Sequence, residues 1–181
     1  LEVQGGFIVG FDSDTPSIFQ RQIDFIQRSG IVTAMVGLLQ APYGTKLYER
    51  LAHEGRLIGE LSGNNCDNTM NFRPIMDPKV LHEGYRRIMS HIYSPRAYYQ
   101  RVRTFLREYQ GGATAHGAIR WNEIVAFLRS IFVIGVHGKE RLEYWKLFFW
   151  TLLRRPKLLP YAITFAIYGF HFRRVCELYV L

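Results

Sequence analysis

The sequence predicts an α/β start followed by an all-α remainder of about five helices. Three observations carry that prediction. Two short apolar runs, at residues 7–9 and 31–39, flank a stretch with helical periodicity. From Asp77-Pro78 onward, apolar residues recur at helical spacing almost to the end of the chain. Between these regions lies a polar, turn-rich segment, Ser62-Gly-Asn-Asn-Cys-Asp-Asn-Thr69, which divides the chain into residues 1–60 and 61–181.

The first run sits between glycines without polar alternation, the pattern of a strand buried on both faces. It breaks at Asp12-Ser13-Asp14, and Thr15-Pro16 reads as a helix cap followed by proline at the first helical position. Phe19, Ile23 and Ile26 then recur at i, i+4 and i+7 to give one buried face, and Gly30 stops the helix. The second run follows at once. Strand, helix and strand in about 35 residues require a right-handed parallel crossover. A parallel pair that is apolar on both faces needs further strands, and the later sequence offers none. The stretch 41–45 is a turn, with Pro42 and Gly44 supplying the backbone angles. A short helix over 46–54 carries Leu47 and Leu51 on one face and stops at Gly55.

Residues 56–78 are the least regular part of the chain. Asp77 can cap the next helix and Pro78 can start it, with Leu81, Tyr85, Ile88 and Ile92 as its buried stripe. Ser94-Pro95 repeats the cap-and-proline start, and Tyr98, Val102, Phe105 and Tyr109 keep the period until Gly111-Gly112. Arg96, Arg101, Arg103 and Arg107 fall largely off that stripe, which predicts a basic outer face. A third helix is expected over 121–134 and a fourth over 139–154, ended by Pro156. The last begins near Pro160 and carries Tyr161, Phe165, Tyr168 and Phe172. There is no internal repeat.

Bulk properties narrow the function classes. Hydrophobic content of 48%, with 15% aromatic residues, excludes a disordered chain. A net charge of +8 points to an acidic partner: nucleic acid, an anionic membrane, or an acidic face of a longer polypeptide. The chain begins Leu1-Glu2, without an initiator methionine, and reads as cut from a longer protein. Two cysteines 110 positions apart, Cys66 and Cys176, form no disulfide framework and favour a reduced, cytoplasmic setting. The longest uncharged stretch, residues 158–172, falls short of the roughly 18 apolar residues of a spanning helix. Nucleophile-elbow, phosphate-loop and HExxH patterns are all missing.

Several motifs stand in an order that resembles one enzyme family. Gly6-x-Ile8-x-Gly10 closes the first strand, and Ala41-Pro42-Tyr43-Gly44-Thr45 closes the second. Then come Asn71-Phe72-x-Pro74-x-Met76, Gly84-Tyr85-Arg86, Ile92-Tyr93-Ser94-Pro95 and Tyr98-Tyr99-x-Arg101. Together these resemble the late strands of a radical S-adenosylmethionine (SAM) barrel in its cobalamin-binding branch. The resemblance extends to that branch's C-terminal helical domain of unknown function, found in relatives of the hopanoid methylases. It implies that residues 1–60 are the final barrel elements and 61–181 the helical extension. It also implies a parent methyltransferase using SAM, a 4Fe-4S iron–sulfur cluster and cobalamin to alter an unactivated carbon, in a lipid for some relatives. By the same resemblance Ile8 packs on the adenine of SAM, Gly6 and Gly10 make room for it, and Tyr43 faces the barrel mouth. Ser13 stands where the family often carries an acidic residue.

The chain cannot complete such a site. A radical SAM cluster needs a compact three-cysteine loop, and two distant cysteines do not supply one. The cobalamin motif Asp-x-His-x-x-Gly is missing as well, and the six histidines lack metal-ligand spacing: His82 and His91 are nine apart. The expected partner is therefore an N-terminal part of the same polypeptide, and the fragment alone is expected to be inactive. A barrel edge left bare invites a non-native dimer. The stretch 144–161, rich in Trp and Phe and flanked by Arg154, Arg155 and Lys157, has the composition of an interfacial membrane helix, or alternatively of a core hairpin. Nucleic acid is the weaker reading, because Tyr98, Tyr99 and Phe105, the aromatics among the arginines of 96–107, are expected on that helix's buried stripe.

Overall fold

The computed structural model describes residues 3–59, 69–111 and 121–180. Strand β1 (Gln4–Val9), helix α1 (Ser17–Ser29) and strand β2 (Thr33–Leu38) form the expected crossover. The strands pair in parallel, with Gly6 opposite Met35 and Ile8 opposite Gly37. Helix α2 (Lys46–His53) follows, and five more helices complete the described chain: α3 (Pro78–Ile92), α4 (Pro95–Glu108), α5 (Trp121–Ser130), α6 (Arg141–Arg154) and α7 (Leu159–Tyr179). The α/β start and the helical remainder are as the sequence predicts. Cys66, His116 and most of the polar segment at 62–69 lie outside the described residues.

Local chemistry explains most boundaries. Gly30 adopts a left-handed conformation (φ 68°) that ends α1. Thr45 accepts a hydrogen bond from the Tyr48 N–H to cap α2, and Asp77 does the same for the Lys79 and Val80 N–H groups of α3. Two expected caps differ. Helix α1 begins at Ser17, and the Thr15 hydroxyl pairs with the Ser17 hydroxyl rather than with a backbone N–H. The Ser94 hydroxyl turns back to donate to the His91 carbonyl, so Pro95 starts α4 without a side-chain cap. The helix expected over 121–134 is α-helical to Ser130 and continues as a π-helical turn, Ile131–Val136. That wider turn brings the Gly135 carbonyl to the indole N–H of Trp145 at 2.9 Å.

One apolar core joins the sheet to the helices. Phe19, Ile23 and Ile26 of α1, Leu81, Tyr85, Ile88 and Ile92 of α3, and Val36 and Leu38 of β2 are all buried in it. It continues through Val102 and Leu106 of α4 to Leu147 of α6 and Phe165 of α7. Close packing depends on two small residues: a Cβ at Gly84 would run into the Phe19 ring, and one at Gly169 into the Tyr98 ring.

The predicted basic face of α4 needs correction at one position. Arg101 is fully buried. Its guanidinium donates to Gln27 Oε1 (2.5 Å), the Ile92 carbonyl (3.0 Å) and the Val32 carbonyl (3.2 Å), and lies over the Tyr98 ring. These three acceptors on other parts of the fold outweigh the usual preference of a charge for water. Arg96 and Arg107 are exposed as expected, and Arg103 is half-buried beside Glu143.

Candidate functional site

In a parallel βα architecture, ligands bind beyond the carboxyl ends of the strands. Here Gly10 follows β1 and the turn at 41–45 follows β2, side by side: the Leu39 N–H donates to the Val9 carbonyl at 2.8 Å. Gly10 has φ 106°, a conformation open mainly to glycine. Its N–H and that of Phe11 donate to one Asp14 carboxylate oxygen at 2.8 and 3.0 Å. Asp14 thereby replaces Thr15 as the organiser of this turn.

The sheet departs from the sequence expectation in one respect. Among the described residues only one face is covered, because α1 and α3 pack on the side of Phe7, Val9, Val36 and Leu38. The other face carries Gly6, Ile8, Met35 and Gly37 in register, and Ile8 is 48% and Met35 55% exposed. A Cβ at Gly6 would meet no atom within 4 Å. The face is thus shallow at Gly6, apolar at Ile8 and open to an approaching group. Tyr43 stands at the strand ends, 87% exposed, with its ring edge-on to Tyr48 at 5.3 Å. Gly6 and Ile8 therefore share one surface, whereas Gly10, just past β1, is buried with Met70 and Leu81 against it, and Tyr43 is exposed in the turn after β2.

The polar groups around the strand ends are already engaged. Asp12 receives a two-pronged bond from Arg56 (2.7 and 3.1 Å) and a further contact from Arg50 at 2.8 Å. The Arg56 guanidinium, and then Arg50, hold the Asp12 carboxyl below its ordinary pKa against the opposing effect of partial burial. Both Asp12 oxygens are thus taken by arginine, and one Asp14 oxygen by the turn it closes. The turn at 41–45 is fixed from below by Asn71, which is buried. Its side chain accepts from the Ala41 N–H and donates to the Ala41 carbonyl, both at 2.8 Å. Its neighbour Phe72 pairs with Leu57 in an antiparallel bridge. Sequence reasoning quoted Asn71 only as part of a motif, and its partner 30 positions away gave no local signal.

Among the described residues, no group of three or more His, Cys, Asp or Glu could hold a metal ion. Cys176 is buried in α7. No described helix is long and apolar enough to cross a membrane.

A two-stranded parallel sheet with an open glycine-bearing face, joined to a set of helices, defines the class of structure. Comparison with known families places it: the chain belongs to the family of the domain of unknown function DUF4070, whose model matches residues 45–180. The chain is 30% identical to the uncharacterized methyltransferase sll1242 of Synechocystis sp., covering 98% of this chain and 34% of that protein. It is 29% identical to the Hopanoid C-2 methylase of Rhodopseudomonas palustris, covering 85% of this chain and 30% of that protein. The chain therefore spans about a third of the length of these curated relatives. No solved structure matches it significantly.

Proposed function

We propose that this chain is the C-terminal portion of a longer cobalamin-dependent radical SAM methyltransferase, and that it contributes one wall of the SAM pocket and a helical cap. Residues 1–60 are then the last barrel elements and 61–181 the extension. The observation that carries the reading is the sheet face itself. A parallel pair with Ile8 and Met35 turned to solvent has the surface of a structure that continues. The names of the two relatives support methylation, and that of the second a lipid substrate.

SAM fits this face. Gly6 leaves open space above the backbone for a flat adenine, and Ile8 offers the apolar contact beside it. Gly10 lets the chain turn away past the end of β1, and Tyr43, exposed in the turn after β2, is left free to meet the ligand or the rest of the polypeptide. SAM seated here would supply the radical on reductive cleavage, with release of methionine, and a separate SAM molecule would supply the methyl group. The chain's own task is to seat the adenine and exclude water from one side of it. The iron–sulfur cluster and cobalamin do not fit here. Two cysteines cannot make a three-thiolate site, so their ligands belong to the remainder of the polypeptide, which is the expected partner of the open face. The Asp12–Arg56 clamp and the Asp14 turn leave the polar contacts to that remainder too. The setting is cytoplasmic, where reduced thiols persist.

The test is anaerobic expression of the full reading frame, with the upstream region, followed by iron analysis and an assay for 5′-deoxyadenosine and methyl transfer. Iron together with SAM cleavage supports the reading. A full-length protein that lacks both a three-cysteine loop and iron removes it.

A further inference from the structure

The hairpin of α5 and α6 carries a surface that the methyltransferase reading does not use. Along α5 and its π-helical continuation, Trp121, Val125, Leu128, Phe132 and Val136 follow one another at spacings of four, three, four and four residues, so they share one side. All five are exposed, Phe132 to 64%. This is not the core side of the helix. That side is occupied by Ser130, whose hydroxyl pairs with the Tyr144 hydroxyl at 3.0 Å, and by Ile134 and Gly135 against α6. Helix α6 adds exposed Leu142, Phe149 and Leu153 on the side opposite its buried Tyr144, Leu147 and Thr151. A run of large apolar side chains in water marks a docking surface.

Charge identifies the occupant. Residues 121–181 contain nine Lys and Arg against four Asp and Glu, a net charge of +5. Three of the four acids pair with cations in the same region: Glu140 with Arg173, Glu143 with Lys146, and Glu177 with Lys139 and Arg173. Arg129, Arg141 and Arg154 are exposed and adjoin Leu128, Leu142 and Leu153 along the chain, and Lys157 is exposed just beyond them. Exposed apolar side chains with cations beside them in the chain fit an anionic lipid bilayer, where the acyl region takes the Trp, Leu and Phe and the headgroups take the Arg and Lys. No described helix can cross a bilayer, so the hairpin would lie in its surface plane.

We propose that the outer face of the α5–α6 hairpin, centred on Leu128 and Phe132, seats this protein on an anionic membrane surface. The surface is centred outside the aromatic stretch that the sequence singles out and shares with it only Phe149, Leu153, Arg154 and Lys157. Tyr144, Leu147 and Thr151 of that stretch face the core, and Arg155 donates to the carbonyls of Leu106, Arg107 and Tyr109 to close the end of α4. The inference stands independently of the methyltransferase reading.

The experiment is co-sedimentation of the 181-residue chain with vesicles of equimolar phosphatidylglycerol and phosphatidylcholine, and with vesicles of phosphatidylcholine alone. The expected result is binding to the anionic vesicles. It falls at least tenfold on pure phosphatidylcholine and in L128D/F132D, with unchanged circular dichroism, and is retained in I75D, an exposed apolar position elsewhere. Should L128D/F132D not fold, quenching of tryptophan fluorescence by brominated phosphatidylglycerol gives the same reading, because the quenched component should disappear in W121F. No binding to the anionic vesicles, full binding by L128D/F132D, equal loss in I75D, or quenching that persists in W121F would overturn the proposal. A dimer that L128D/F132D dissolves, without vesicle binding, would assign the face to a second copy and overturn it as well.

Discussion

Replacing Arg101 tests how the helical region is fastened to the sheet. Its guanidinium, on α4, binds acceptors on α1 (Gln27), at the C-terminal end of α3 (Ile92) and just ahead of β2 (Val32). Among the described residues no carboxylate pairs with it, and burial depresses its pKa from the usual arginine value. Two opposing quantities decide the outcome of Arg101→Met. Each hydrogen bond to a charged group contributes about 1.5–3 kcal/mol, and removing the donor leaves two buried carbonyls unsatisfied. Against that, burying an unneutralised charge costs several kcal/mol, which the substitution recovers. The position of Ile92 at a helix C-terminus and the Tyr98 ring beneath the cation both reduce that cost. The balance is a net loss of about 3 kcal/mol, or roughly 6–12 °C in melting temperature for a chain of this size. Arg101→Lys should lose at least as much, because one ammonium cannot reach three acceptors on three elements. Thermal unfolding followed by circular dichroism checks both variants. A methionine variant that melts at or above the parent temperature would refute the reasoning, since desolvation would then outweigh the network.

Three further outcomes follow from the geometry. Asp12→Ala should cost about 1 kcal/mol, because the Asp12–Arg56–Arg50 cluster lies partly in solvent. The Asp12 carboxyl is held below its ordinary value, so its contribution is fully present above about pH 4 and disappears as pH falls through the lowered folded-state pKa. Parallel urea titrations at pH 6 and pH 3 should show a smaller difference between parent and D12A at the lower pH. Asn71→Ala removes both bonds to Ala41 and should cost about 2 kcal/mol by urea denaturation. Gly84→Ala drives a methyl group into the Phe19 ring where α1 meets α3, and a loss of about 1–3 kcal/mol should appear as an earlier urea midpoint with unchanged slope.

Much of this fold is legible because its boundaries rest on short-range chemistry. Gly30 ends α1, Asp77-Pro78 starts α3, and the stripe Leu81, Tyr85, Ile88, Ile92 is wholly buried, all from residues within one or two turns of each other. What stayed hidden depends on distant partners. Arg101 stands three residues from Tyr98 and so near the buried stripe, but its acceptors are about 70 positions away in Gln27 and Val32. An apolar strand reads the same whether one or two of its faces are covered, which is why Ile8 was expected to be buried. The outer side of α5 was illegible for a related reason. Its inner and outer faces are both apolar, so no polar stripe marks which one meets water. At the candidate site, Gly6, Ile8, Gly10 and Tyr43 stood out in the sequence. The Asn71 and Arg56 anchors beneath them did not, because each closes a contact across 30 residues or more.

The central claim is that the face of Gly6 and Ile8 seats SAM, and Gly6→Val tests it most directly. Nothing lies within 4 Å of a Cβ at this position, so the substitution fills the open face without disturbing the packed one, and valine suits a strand. The measurement is equilibrium binding of SAM to the full-length, cluster-loaded protein, parent against G6V. The account predicts at least a tenfold weaker affinity in G6V with melting temperature and iron content unchanged. Equal affinity in the two proteins would contradict it.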